Sequence, residues 1–243
     1  MRLRSWGPLC AICCLCIAST CPTSDPYPPD PMRAPAFTAF NLTGIKINGF
    51  YQPAVHLQWD LRGKDSLAVG QFIILRKRES RDSLFDILHY NIPNTQYEDW
   101  DDRLFQEKLP GQGVYDKIWY RVFALDADGR SGDTSATDSI QLSWPPTIIS
   151  PVDTLFDGLF KWSTILYRGG YYTYLSLWSD SLGLVWTSQP SEPIYGHETP
   201  DFESITLPSP PAPLAPGKYY CGVKVEIPGE NIQSMTLRQF YAQ

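Results

Sequence analysis

Apolar and polar residues alternate in one short run after another along this chain, and no other feature constrains its fold as tightly. In AVHLQW (54–59) Val55, Leu57 and Trp59 share one side while His56 and Gln58 share the other. That period of two is the signature of a strand buried on a single face. KIWYRVFALDADG (117–129) repeats the device with Tyr120, Val122 and Ala124. QFIILRKR, SLFDILHY, NTQYEDWD and TSATDSIQLSW fill the space between and beyond, so that residues 36–144 read as about seven short strands separated by turns. Strong helical periodicity is absent, and the expected class is all-β.

The second half repeats the plan. LFKWSTI places Trp162 where Trp59 stood, 103 positions later. YYTYLSLWS, GLVWTS, ESITLP and MTLRQFYA supply further strands. LAPGKYYCGVKVE (214–226) places Leu214, Pro216, Gly217 and Tyr219 as in a tyrosine corner, where a phenol at a strand start bonds backbone upstream. Tyr120 and Tyr219 lie 99 residues apart, the spacing of a duplicated module. SQPSEPIYGHETPDF (188–202) reads as a long strand-poor insertion.

Seven short strands in about a hundred residues point to an immunoglobulin-like sandwich. Residues 36–144 also resemble a fibronectin type III domain, through Trp59, Phe72-Ile73-Ile74, TQYEDWD (95–101) and above all YRVFALDADGRSGDTS (120–135). Together with the internal repeat, this resemblance gives two tandem sandwiches as the expected architecture, 36–144 and 147–243, meeting at Pro145–Ser150 with almost no linker. So short a join predicts a stiff rod.

Ahead of them, Arg2 and Arg4, the apolar stretch Leu9–Ile17 and the small residues Ala18, Ser19 and Thr20 read as a secretory signal over 1–20. The apolar stretch is well short of the roughly 20 residues that span a bilayer. IASTC (17–21) resembles a bacterial lipobox, with Thr20 where that motif carries Gly, Ala or Ser. The resemblance implies lipid attachment at Cys21 (diacylglyceryl, with a further acyl chain such as palmitate). Pro22 at the second position implies the outer membrane of a Gram-negative cell. Pro22, Pro26, Pro28, Pro29, Pro31 and Pro35 make 21–35 a proline-rich tether, extended by roughly 3.1 Å per residue. Plain cleavage and secretion is the competing outcome.

Without residues 1–20 the chain keeps 18 basic against 26 acidic residues, a formal charge of −8. That balance argues against nucleic acid and anionic membrane surfaces as partners. Only Cys21 and Cys221 survive such processing. Cys221 alternates with Tyr219, Val223 and Val225, which puts its thiol inside the sandwich as a small hydrophobe.

Candidate sites are few. If Tyr171, Thr173, Leu175 and Leu177 face the core, Tyr172, Tyr174 and Trp178 line the opposite face as a candidate binding surface. Three covers fit such a stripe: the first sandwich, a protein partner, or a stacked sugar ring. His197 with Glu198 and Asp201 matches no established metal pattern, so no metal is expected. DADGRSGD (126–133) lacks the third ligand and distal glutamate of a calcium loop and reads as a hairpin turn. Its order, Gly129-Arg130-Ser131-Gly132-Asp133, is not the Arg-Gly-Asp tripeptide that some fibronectin modules carry. EDWDD (98–102) is an acidic cluster with two readings, a weak calcium site and the more ordinary solvated turn charge. No nucleophile elbow, paired-histidine helix or phosphate loop is present, and neither enzyme activity nor a cofactor is expected. The expected role is a non-catalytic cell-envelope lipoprotein that binds or scaffolds a protein partner or cell-surface glycan. Two alternatives stay open: a carbohydrate-binding protein using the aromatic stripe, and a secreted receptor-like ectodomain, for which NLT (41–43) is a possible glycosylation acceptor.

Overall fold

The computed structural model describes residues 32–61, 69–79, 81–101, 104–105, 114–151, 156, 159–164, 170–190, 194–195, 201–206, 214–227 and 229–243. Eight strands occupy the first half: β1 (Ala36–Ile47), β2 (Phe50–Asp60), β3 (Val69–Arg78), β4 (Asp86–Ile92), β5 (Gln96–Asp99), β6 (Val114–Asp126), β7 (Ser131–Thr134) and β8 (Asp138–Ser143). They form two layers, β1-β2-β5 facing β4-β3-β6-β8, with β7 on β6. The alternation read from sequence sets which side chains turn inward. Val55, Leu57 and Trp59 from one layer meet Phe72, Ile74, Ile118, Tyr120, Val122, Ala124 and Ile140 from the other, all buried. Trp59 packs edge-on to Phe72 at 5.4 Å between centroids, a geometry favoured by the ring quadrupoles.

The second half repeats the strand order: β9 (Thr147–Ser150), β10 (Leu159–Thr164) and β14 (Asp201–Thr206) in one sheet; β12 (Gly183–Thr187), β11 (Gly170–Ser179), β15 (Gly217–Ile227) and β16 (Ile232–Ala242) in the other; and the short β13 (Ile194–Tyr195) on β11. Three-strand and four-strand layers in the order 1-2-5 and 4-3-6-8 therefore recur as 9-10-14 and 12-11-15-16. The chain is an all-β, immunoglobulin-like sandwich protein. Phe160, Trp162, Leu175, Leu177, Cys221, Val223 and Phe240 fill the second core. Trp162 on β10 repeats the place of Trp59 on β2.

The tyrosine corner is present at Tyr219, whose hydroxyl donates to the Ala215 carbonyl oxygen at 3.1 Å. Its spacing partner behaves differently. Tyr120 lies six residues into a long strand, and its phenol donates to the carboxylate of Asp99 at 2.7 Å.

The halves are joined by more than the short segment at Pro145–Ser150. The last strands of the two repeats, β8 and β16, pair in parallel through Gln141 with Ile232 and Leu142 with Gln233. The four-strand layers thereby merge into one continuous ten-stranded sheet. The Gln141 amide donates to the Asn231 carbonyl at 3.1 Å, and Asn231 Nδ2 donates to the Ser139 carbonyl. Gln233, itself buried, accepts from the Leu42 amide at 2.9 Å and so ties β16 to β1 as well.

Candidate binding surface

The predicted register of β11 holds: Tyr171, Thr173, Leu175 and Leu177 are buried toward the second core, and Tyr172, Tyr174 and Trp178 turn the other way. The three do not form one open stripe. Trp178 is only 5 % exposed, because the β1–β2 hairpin of the first half lies on it. Tyr51 packs against Trp178 at 5.9 Å and against Tyr220 at 5.0 Å. The Tyr220 hydroxyl donates to the Gly49 carbonyl at 3.1 Å. Lys46 Nζ reaches Asp180 at 2.8 Å to its carboxylate and 2.6 Å to its carbonyl. Trp178 is therefore withdrawn from the candidate surface: apolar area that size stabilises the fold by being covered, and the chain covers it itself.

This aromatic clasp depends on two strand glycines. A Cβ at Gly222 would lie 2.5 Å from Trp178 Cζ3, and one at Gly44 would lie 2.9 Å from Cζ2. The indole ring is thus held between β1 and β15, where only a bare backbone leaves room. Glycine inside a strand pattern is the sequence signal for such an approach, and Gly44 and Gly222 carried it unread. At the hairpin tip, Asn48 (φ 51°) and Gly49 (φ 85°) adopt the left-handed conformations of a tight two-residue turn.

Tyr172 and Tyr174 remain half-buried on the same face. Lys224 Nζ sits 4.6 Å from the centre of the Tyr174 ring and 3.2 Å from Glu226. Burial, with Glu226 adding to it, pushes the Tyr174 phenol above its ordinary pKa. What stays open of the stripe is two tyrosines, one capped by a lysine.

The acidic run 98–102 corrects the reading of solvated charge. Asp99 is 2 % exposed. Its two oxygens accept from Arg76 Nη1 at 3.0 and 2.8 Å, and one of them also takes the Tyr120 phenol. Arg76 Nη2 goes on to Asp101 at 2.9 Å. Burial works against the guanidinium charge, but Asp99 more than offsets it and Arg76 ends above its ordinary pKa. The phenol of Tyr120 is raised by its burial and by the neighbouring carboxylate. These groups hold β3, β5 and β6 together. Sequence could not pair them, since the arginine stands 23 residues from its partner.

The other predicted groups take structural places. Cys221 is fully buried, and burial pushes its thiol up to about 12, so it carries no thiolate at neutral pH. His56 Nδ1 lies 3.1 Å from Glu98, and His89 stacks on Tyr97 at 5.3 Å. Asp126 Oδ1 accepts from the amides of Asp128 and Arg130 at 2.9 and 2.8 Å, closing the hairpin turn expected there. His197 and Glu198 lie outside the described residues, as does the side chain of Asp201, and so do Cys21 and the rest of 1–31. Among the described residues no three His, Cys, Asp or Glu side chains gather as a metal site.

No family model matches the chain, and no curated protein matches it. Among solved structures it is similar to the FN1–FN3 domains of chicken CNTN1, with a TM-score of 0.33 and 12 % identity over 88 % of this chain and 68 % of that one. It is also similar to dimeric latent PorU from Porphyromonas gingivalis, with a TM-score of 0.31 and 12 % identity, covering 86 % of this chain and 20 % of that one. At 12 % identity the fold assignment rests on the strand order of the chain itself.

Proposed function

We propose that this chain is a non-catalytic cell-envelope lipoprotein, anchored through Cys21, whose two sandwiches act together as a binding or scaffolding module. The observation that carries the scaffold reading is the clasp. By seating Trp178 and Tyr220 under the β1–β2 hairpin and pairing β8 with β16, the chain removes the hinge that tandem modules ordinarily keep. Loops and faces on both halves are then presented in fixed relation to each other. The charged groups nearest to a constellation, Arg76, Asp99, Asp101 and Tyr120, bond one another inside the first half.

The anchor rests on IASTCPT and the proline-rich stretch that follows. Intact mass and an N-terminal peptide map of protein extracted from membranes test it. A chain beginning at Cys21 with diacylglycerol supports the anchor, whereas an unmodified soluble chain removes it and the outer-membrane assignment. Crosslinking in intact cells followed by denaturing purification tests the scaffold role, which fails if no stoichiometric protein partner is recovered. A glycan-binding role needs Tyr172, Tyr174 and Trp178 side by side on an open face, and Trp178 is taken up by the clasp.

A further inference from the structure

The clasp covers the outer face of the β12-β11-β15-β16 layer. The equivalent face of the first half, on β4-β3-β6-β8, is built of the same kind of material. Register places Ile73 opposite Phe123, Leu75 opposite Arg121 and Ile87, Gln71 opposite Leu125, and Lys77 opposite Trp119. Lys117 pairs with Gln141 along β8. These side chains alternate with the buried Phe72, Ile74, Ile118, Tyr120, Val122 and Ala124, so they point away from the core, and none belongs to a core cluster. Ile87 is 61 % exposed and the rest are half-buried.

Charge on this face runs against the sign of the whole chain. Its paired rows hold three cations, Lys77, Lys117 and Arg121, against one carboxylate, the exposed Glu79 just past the end of β3, on a chain whose formal net charge is −6. The cations are spread among aromatic rings: Lys117 Nζ stands 4.2 Å from the centre of Trp119, and Arg121 lies 4.5 Å from the centre of Phe85. Cations laid flat on rings keep an apolar surface wet until an anion arrives to pair with them. We propose that this face binds an acidic protein segment that also carries aromatic or aliphatic side chains, seated across β3 and β6 as the β1–β2 hairpin is seated across β11 and β15. The proposal deepens the binding reading and rests on it.

The test uses the full chain and a fluorescent random copolymer of glutamate and tyrosine, with polyglutamate, a lysine–tyrosine copolymer, a single-stranded oligonucleotide and phosphatidylglycerol vesicles as competitors. The glutamate–tyrosine copolymer should bind most tightly. Lys77→Glu, Lys117→Glu and Arg121→Glu together should weaken it by about tenfold or more. Arg33→Glu, Lys161→Glu and Arg238→Glu, which change net charge equally on other surfaces, should leave it within about twofold. Circular dichroism melting checks that both triple variants fold. Equal loss in both triples reduces the effect to net charge and overturns the proposal. Polyglutamate binding as tightly as the copolymer overturns its apolar part. Preference for vesicles or oligonucleotide assigns the face to another class of partner, and self-association abolished by the first triple assigns it to a second copy; either result overturns it. If copolymer binding fails while a crosslinked partner is still recovered from cells, this face is wrong and the scaffold reading stands. If neither is found, both fall.

Discussion

Arg76, Asp99 and Tyr120 show how a single residue can carry more structure than its sequence context suggests. Replacing Arg76 by Met leaves Asp99 buried without its cation, and should lower unfolding free energy by about 3–5 kcal/mol in urea titrations. Tyr120→Phe removes one donor only and should cost about 1–3 kcal/mol. The phenol also gives the protein a pH dependence whose sign is fixed. Its pKa is raised in the folded chain, by burial first and Asp99 next, while an unfolded tyrosine ionises near pH 10. The contribution is therefore complete below about pH 10 and is lost above it, as the unfolded chain releases a proton that the folded one keeps. Urea midpoints measured at pH 8 and pH 10.5 should fall further for the parent protein than for Tyr120→Phe. Cys221 gives the opposite kind of experiment: with its thiol pushed up to about 12, it should resist iodoacetamide at pH 8 until denaturant is added, then react stoichiometrically. Appreciable labelling at Cys221 itself in the folded chain, read by peptide mapping, would show that the strand carrying it opens locally.

Among the elements, β1 and β15 depend on residues they lack as much as on those they have. Gly222→Ala places a methyl group against the Trp178 ring, and overpacking of this kind costs about 1–3 kcal/mol. Gly44→Ala should act in the same direction and less severely, since its nearest contact is 2.9 Å rather than 2.5 Å. Thermal melts of the two variants check the order. The strands themselves were legible in sequence because a period of two leaves little choice of face: Leu57 and Trp59 turned inward as read, and so did Leu175 and Leu177. Pairing partners were less so. Two bulges in β4, between Ile87 and His89 and between His89 and Ile92, shift its register against β3, and the alternation of DILHYNI does not announce them, although Asn91 there takes a left-handed φ of 61°. EDWDD was misread for a similar reason, because its fate depends on an arginine two strands away rather than on its neighbours.

For the whole molecule, the β8–β16 seam and the clasp predict that the two sandwiches unfold together. Far-ultraviolet circular dichroism and tryptophan fluorescence should give coincident urea transitions, the mark of one cooperative unit. Trp178→Ala should lower the midpoint by about 3–5 kcal/mol equivalent and pull the two curves apart as the halves uncouple. Two separate transitions in the parent protein would mean that the seam adds little. The sandwiches could be read from sequence because their contacts lie within one repeat. The clasp was legible only as one of three covers for the aromatic stripe, since the groups that build it are far apart in the chain, Leu42 and Gln233 meeting across 191 positions. That separation also has a cost in time. The β1–β2 hairpin is complete once the first quarter of the chain has been made, yet its cover begins only with Trp178 on β11 and is finished by β15 and β16. At synthesis rates of about 5–20 residues per second, Tyr51 and Gly44 wait roughly 6–27 s for their indole. During that interval the nascent chain carries an unsheltered aromatic surface, so its yield should respond to holding chaperones far more than that of a protein whose modules finish one at a time.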